Sequence, residues 1–209
     1  MIHLPKSQPE PACLTAERKL KSGTHNCEGV LFTLRTDFKN KCYICESKEP
    51  ISINTEHFKP HRGDRDLMFN RNNLFFCCGH CNNTKLAKEL FDEILNCTIE
   101  ADGVDTKIKY KINPFPKEKA VITAVENTQK VNNTVQLLNE IYNGTTTLKK
   151  IESENLRSNL INEIKEFQEL LFGYFDDTYD AYQTEEFKNT IIRNLSPASH
   201  CLQKVDHPR

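Results

Sequence analysis

The sequence predicts an α+β fold: a small strand–loop–strand–helix unit stapled by cysteines, then a mainly helical region. Three observations lead there. Two short cysteine pairs, Cys42-Tyr-Ile-Cys45 and Cys78-Gly-His-Cys81, enclose residues 46–77. Within that stretch Ile51, Ile53 and Thr55 alternate as a half-buried strand does, and Leu74, Phe75 and Phe76 form a short apolar run. Beyond Asn113-Pro114 the apolar residues recur at helical spacing, and everything there is expected to be helical.

In chain order, residues 1–13 carry Pro5, Pro9 and Pro11 and are expected to be an extended, loosely held arm. Residues 15–21 and 28–40 read as short helices, the second burying Val30, Leu31, Leu34 and Phe38. After the first cysteine pair comes the strand that runs into Glu56-His57. Residues 58–72, with Pro60, Gly63 and many charges, read as a loop. The second strand follows, and Asn82 or Asn83 is placed to cap a helix through Lys85, Leu86, Leu90 and Phe91. Asp102-Gly103 is a turn before a strand over 106–112. Val131, Val135, Leu138 and Ile141 then mark a helix stopped by Asn143-Gly144. Leu156, Leu160, Ile164, Phe167 and Leu171 mark a long helix, and Phe187, Ile191 and Leu195 a last one. The implied organisation is an N-terminal arm with short helices (1–41), a core (42–115) and a helical, partner-binding region (116–209).

At 209 residues the chain is long enough to bury a real core. It has no apolar run of membrane-spanning length and no basic-then-apolar leader, so a cytoplasmic protein with no membrane association is expected. Nine cysteines, an odd number in part paired as Cys-x-x-Cys, favour reduced thiols holding a metal over a disulfide framework. The net charge of −1 is unevenly spread: residues 37–90 hold nine bases and seven acids, residues 126–195 seven bases and twelve acids. Phosphate contacts need local positive charge, so the first half is the expected nucleic-acid face.

Four thiolates on two tight turns can close a tetrahedron around Zn²⁺, which assigns Cys42, Cys45, Cys78 and Cys81 as ligands of a structural zinc. Cys77 is an alternative to Cys78, but the spacing to Cys81 favours Cys78. Cys13, Cys27, Cys97 and Cys201 are read as packing residues, and His61 and His80 as ordinary surface histidines.

The order Cys-x-x-Cys, Glu-His, Asn-Leu, Cys-x-x-Cys-Asn-x-x-Lys resembles that of the HNH endonucleases, whose core is the ββα-metal finger. Cys42, Cys45, Glu56, His57, Asn73, Leu74, Cys78, Cys81, Asn82 and Lys85 fall in register across residues 42–91. The resemblance implies phosphodiester hydrolysis of nucleic acid, with DNA the favoured substrate. His57 suits the general base, because histidine alone has an unperturbed pKa near neutrality. A catalytic Mg²⁺ or Mn²⁺ needs oxygen ligands, which Glu56 and Asn82 offer. Asn73 is implied to be a clip for the loop beside the base. Lys59, Arg62, Arg65, Arg71 and Lys85 are the candidate phosphate contacts. Many family members have aspartate or histidine in place of Glu56 and histidine in place of Asn82, and of the usual glycine pair only Gly63 is present.

The variant core and helical second half look similar to the HNH subunits of Septu and retron-associated anti-phage systems. That likeness implies an ABC or SMC-like ATPase partner, and in retron systems a reverse transcriptase with its RNA–DNA hybrid. Two other readings keep the same residues: a toxin-like ribonuclease acting on cellular RNA, and a non-catalytic zinc-dependent adaptor that binds nucleic acid.

Overall fold

A computed structural model describes residues 1–176 and 180–195, the last five as backbone alone. The expectations for Cys201, the 196–209 tail and the side chains of Ile191 and Leu195 lie outside the described residues. The fold is α+β, with two separate two-stranded sheets and a helical C-terminal region.

The first sheet pairs β1 (Ile53–His57) antiparallel with β2 (Leu74–Cys78), in a register that sets Glu56 opposite Phe75 and His57 opposite Leu74. β2 is buried along its whole length and forms the floor of the core, whereas β1 buries only Glu56 fully. Helix α4 (Gly79–Lys85) follows β2 directly and packs on both strands. It begins earlier and ends sooner than the sequence suggests. Cys78, not an asparagine, is its N-cap, accepting from the Cys81 amide at 3.4 Å. The helix stops where Leu86 takes a positive φ of 49°, and Leu90 and Phe91 fall in a separate 3-10 turn.

The segment between the strands, expected to be a plain loop, contains a one-turn helix α3 (Arg65–Met68). The Asp64 carboxylate caps it, accepting from the amides of Asp66 and Leu67. In front of the sheet lie α1 (Ala12–Lys19) and α2 (Glu28–Asp37), which pack on each other. Their junction overturns one expectation: Cys13 and Cys27 are joined in a disulfide.

The N-terminal residues are not a loose arm. Met1, Ile2 and Leu4 are buried in the core. The Met1 ammonium pairs with Glu46 Oε1 at 2.8 Å, and the Leu4 amide donates to the Cys97 carbonyl at 2.8 Å. Lys6 reaches over the Phe75 ring, 3.6 Å from its centroid, and donates to the Arg71, Asn72 and Leu74 carbonyls. Three prolines do favour extended backbone, but Met1, Ile2 and Leu4 carry too much apolar surface to stay in water.

Beyond Pro114 the chain is not wholly helical. β3 (Ile108–Lys111) pairs antiparallel with a strand the sequence did not suggest, β4 (Val121–Ala124). Asn143 anchors β4, accepting from the Ala120 amide at 2.8 Å and donating to the Ala120 carbonyl at 3.0 Å. Asn143 belongs to α5 (Gln129–Asn143), whose buried face holds Val131, Leu138 and Ile141. Gly144 ends α5 at φ 67°, and a Cβ there would come within 2.4 Å of the Lys150 amide nitrogen, so only glycine fits.

Helix α6 (Thr147–Tyr174) buries Leu156 and Leu160 against the core, and Ile164 packs beside them. Its far half pairs with α7 (Ala181–Leu195), where Gly173 lets the Phe187 ring approach closely. The two halves of the chain share one continuous core, running from Met1 to Leu160. Tyr142 donates its hydroxyl to the Cys45 carbonyl at 3.0 Å. His80 of α4 meets the Ile141 carbonyl at 2.9 Å and Glu152 at 2.7 Å. None of the described helices is long and apolar enough to cross a membrane.

The disulfide closes a short loop between α1 and α2, the length for which chain-entropy arguments give about 3 kcal/mol. Peptide mapping under non-reducing conditions is expected to recover Cys13 linked to Cys27, and Cys27→Ser to lower unfolding stability by about 2–4 kcal/mol. Free thiols at both positions would show that α1 and α2 are held by packing alone.

Candidate functional site

The four cysteines of the two short pairs converge. Their sulfurs all lie within 4.8 Å of one another, and every one is buried. The first turn is shaped by the Glu46 amide donating to the Cys42 carbonyl at 2.8 Å, with Glu46 at φ 62°. The second is the β2–α4 junction. Cys45 and Cys78 stand 3.8 Å apart. A tetrahedron with Zn–S bonds of about 2.3 Å has edges of about 3.8 Å.

Without a cation, four buried thiols cannot all ionise. Burial raises the Cys42 pKa, yet hydrogen bonds from its neighbours hold that thiol well below the usual thiol range. Burial together with those same hydrogen bonds pushes Cys81 up. A divalent ion removes this conflict by stabilising every thiolate at once. The donor set therefore fits a structural metal such as zinc. Cys78 rather than Cys77 joins it. Cys97 is a buried packing thiol pushed up to about 12 by burial.

Beside the sulfur cluster lies a cleft of 410 Å³, lined among others by Thr55, Glu56, His57, His61, Arg62 and Asn82. Strand alternation turns Glu56 inward and leaves His57 half-exposed. The His57 Nε2 sits 3.0 Å from the Met68 carbonyl. A carbonyl only accepts, so Nε2 carries the proton and Nδ1 keeps its lone pair. Burial, then the charges of His61 and Lys85, lower the His57 pKa, partly opposed by the Met68 bond. The imidazole is therefore held in its neutral form near pH 7.

Asn73 holds the loop that faces this ring. Its Oδ1 accepts from the Lys59 amide at 2.8 Å, and its Nδ2 donates to the Lys59 and Leu67 carbonyls at 2.9 and 3.1 Å. Asn82 is half-buried on α4 and shares the cleft with Glu56. Glu56 is 7% exposed, and its Oε1 accepts from Lys85 Nζ at 2.7 Å. Burial raises its pKa, and the Lys85 charge opposes that rise. Tyr43 and Cys77 also hydrogen-bond to this carboxylate, and its Oε2 is buried. The Glu56 carboxylate and the Asn82 amide are the oxygen donors that a hard ion in the cleft would take.

The five candidate phosphate contacts separate sharply. Lys59 is exposed. Arg62 is exposed but clamps Asp92 through two bonds of 2.6 and 3.0 Å. Arg65 is exposed but donates to the carbonyls of Arg18 and Leu20 and stacks on Phe69. Two of the five are not on the surface at all. Arg71 is buried against Asp37, and Lys85, fully buried, donates to Glu56 and to the His57 and Phe58 carbonyls at 3.2 and 2.8 Å. Neither is presented to a phosphate. Both are structural cations that neutralise buried acids.

Nothing in the sequence singles out His25, and His61 reads there as an ordinary surface residue. The His57 ring meets His25 edge-on at 4.5 Å between centroids and His61 at 4.7 Å. His61 accepts from the Gly63 amide at its Nδ1. Only proximity to His57 marks out His61 in the sequence, and nothing marks His25, which lies before the first cysteine pair. Comparison with family models and with curated proteins finds no match to this chain.

Two outcomes are expected. Metal analysis of purified protein should find one zinc per chain, and Cys81→Ala should lose both the metal and cooperative unfolding. Retention of native stability without metal would show that the thiols merely pack.

The second outcome concerns pH. Burial and the nearby His57 and His61 lower the His25 pKa to about 4, whereas in the unfolded chain it titrates near 6.5. Between those values the unfolded state binds the extra proton, so this residue's contribution is complete above pH 6.5 and is lost as pH falls towards 4. Chemical denaturation at pH 7 and pH 4.5 should therefore show a smaller acid loss in His25→Phe than in the wild type.

Proposed function

We propose that this chain is a metal-dependent endonuclease of the HNH type that hydrolyses phosphodiester bonds, DNA being the favoured substrate. One observation carries the reading. His57 is held through Nε2 by the Met68 carbonyl, so the basic Nδ1 belongs to a ring at the same cleft as Glu56 and Asn82. A binding module has no need of a neutral, oriented histidine there.

The chemistry follows from these groups. A water in the cleft gives its proton to His57 Nδ1 as it attacks phosphorus, and the Met68 carbonyl stabilises the imidazolium that forms. Asn73 keeps the loop at 58–68 in place, so the ring does not drift during proton transfer. The P–O bond to the leaving sugar oxygen breaks as water adds; Glu56 and Asn82 would hold Mg²⁺ or Mn²⁺, which would supply charge neutralisation to the phosphate and the departing oxygen. Hydrolysis of this kind does not use the ribose 2′-OH, so the toxin-like ribonuclease reading shares the site.

The likeness to Septu and retron-associated nucleases supplies the remainder of the proposal: an effector of anti-phage defence acting with an ABC or SMC-like ATPase. The zinc-stapled pairs before β1 and around α4 are in keeping with that family's pattern.

Purified protein, alone and with the proposed ATPase partner, is expected to nick plasmid DNA when Mg²⁺ or Mn²⁺ is present. His57→Ala should reduce cleavage by about 10²–10⁴-fold with zinc content unchanged. Cleavage by the mutant at the wild-type rate would remove His57 as base. Binding without cleavage under every metal would favour the adaptor reading.

A further inference from the structure

The Met68 bond fixes one atom of the His57 ring, and a ring tethered at one atom still swings about that bond. His25 meets the ring edge-on, with an interplanar angle of 66°. It belongs to the 20–27 connection between α1 and α2, far from the cysteine pairs in sequence.

That connection is built to be stiff. The Cys13–Cys27 disulfide closes it at one end. Inside it, the Gly23 amide donates to the Leu20 carbonyl at 3.1 Å, the Thr24 amide to Glu17 at 2.8 Å and the Asn26 amide to Thr24 Oγ1 at 3.2 Å. Arg65 of α3 donates to the Arg18 and Leu20 carbonyls, joining this segment to the same short helix whose Met68 carbonyl holds His57. A backbone hydrogen bond also links His25 to Thr55, two residues before His57 on β1. His61, the other neighbour of His57, is half-buried and leads into the exposed residues 62–64, with no disulfide to hold its segment.

We propose that His25 is a positioning residue for His57: its ring is a rigid wall that keeps the base in one orientation at the cleft. The assignment rests on the nuclease reading for its catalytic consequence but not for its geometry. His25 transfers no proton in this role. It is not among the residues lining the cleft, and its Nδ1 has no hydrogen-bond partner through which to relay one. A flat ring is what the site requires there, not a titrating one.

The test compares His25→Ala, His25→Leu and His25→Phe in the full chain, with Mn²⁺ and a short DNA duplex. Loss of the wall should lower kcat by about 10- to 100-fold with KM for the duplex unchanged. His25→Leu keeps bulk without a flat ring and should show the same loss, which serves if His25→Ala does not fold. His25→Phe should restore kcat to within about threefold of wild type. Unchanged kcat in the alanine and leucine variants, or failure of phenylalanine to rescue, would overturn the proposal. Long-range ¹H–¹⁵N spectra of the His57 ring give a readout that needs no activity. Wild type and His25→Phe should show a single Nε2–H tautomer, and His25→Ala and His25→Leu a mixture. If the wild type cuts nothing, the nuclease reading fails while these spectra still decide the positioning role. An unaltered tautomer in every variant would overturn the role itself.

Discussion

Helix α4 depends on being pinned at both ends. Seven residues form too short a helix to persist in water, where nucleation costs more than so few hydrogen bonds return. At its start Cys78 and Cys81 enter the buried sulfur cluster with the first cysteine pair. At its last residue Lys85 reaches back to Glu56 and to the His57 and Phe58 carbonyls, so all three ammonium protons have acceptors. Asn82 lies between these anchors. Its position relative to His57 is thereby set by the sulfur cluster at one end of the helix and by the Lys85 contacts at the other. Removing Lys85 would strand a buried carboxylate, a loss of about 3–5 kcal/mol by the general behaviour of buried pairs.

The same residue shows where reading a sequence reaches its limit. A lysine one turn past Asn82 looks like a phosphate contact, because cations are usually at the surface. Its partner Glu56 is 29 residues away, and nothing local reveals that the two are buried together. Arg71 and Asp37 repeat the pattern across 34 residues. By contrast, local signals were legible. The cysteine spacing marked the sulfur cluster, the apolar run found β2, and helical spacing with Gly144 found α5. Alternation found β1 but assigned the wrong face, since Ile51 and Ile53 are exposed and Glu56 is the buried residue. β4 was missed because it is four residues long and buries only Ile122, which leaves no period to read. The Cys13–Cys27 link and the contact of His25 with His57 were hidden for the same reason as the ion pairs: each joins residues whose only relation is tertiary.

Charge tells a related story. Read along the chain, the basic surplus of residues 37–90 and the acidic surplus of 126–195 suggest a nucleic-acid face and a separate helical region. In the fold these charges meet each other. Lys48 pairs with Glu163 and Lys88 with Glu140. Exposed pairs of this sort add little stability singly, but they spend positive charge that would otherwise face a phosphate.

The consequence bears on how such a nuclease would hold its substrate. With Arg71 and Lys85 buried and Arg62 and Arg65 bonded to the protein, Lys59 is the one candidate phosphate contact not tied internally among the five. Affinity for nucleic acid and its salt dependence both scale with the number of phosphates neutralised, and a single lysine neutralises one. A cation between Glu56 and Asn82 would add attraction at the reacting phosphate but not along the strand. Under the proposal, such a cleft would act at one bond rather than track a duplex. On the nuclease reading, substrate capture falls to surfaces outside the cleft, which gives an associated subunit a physical task.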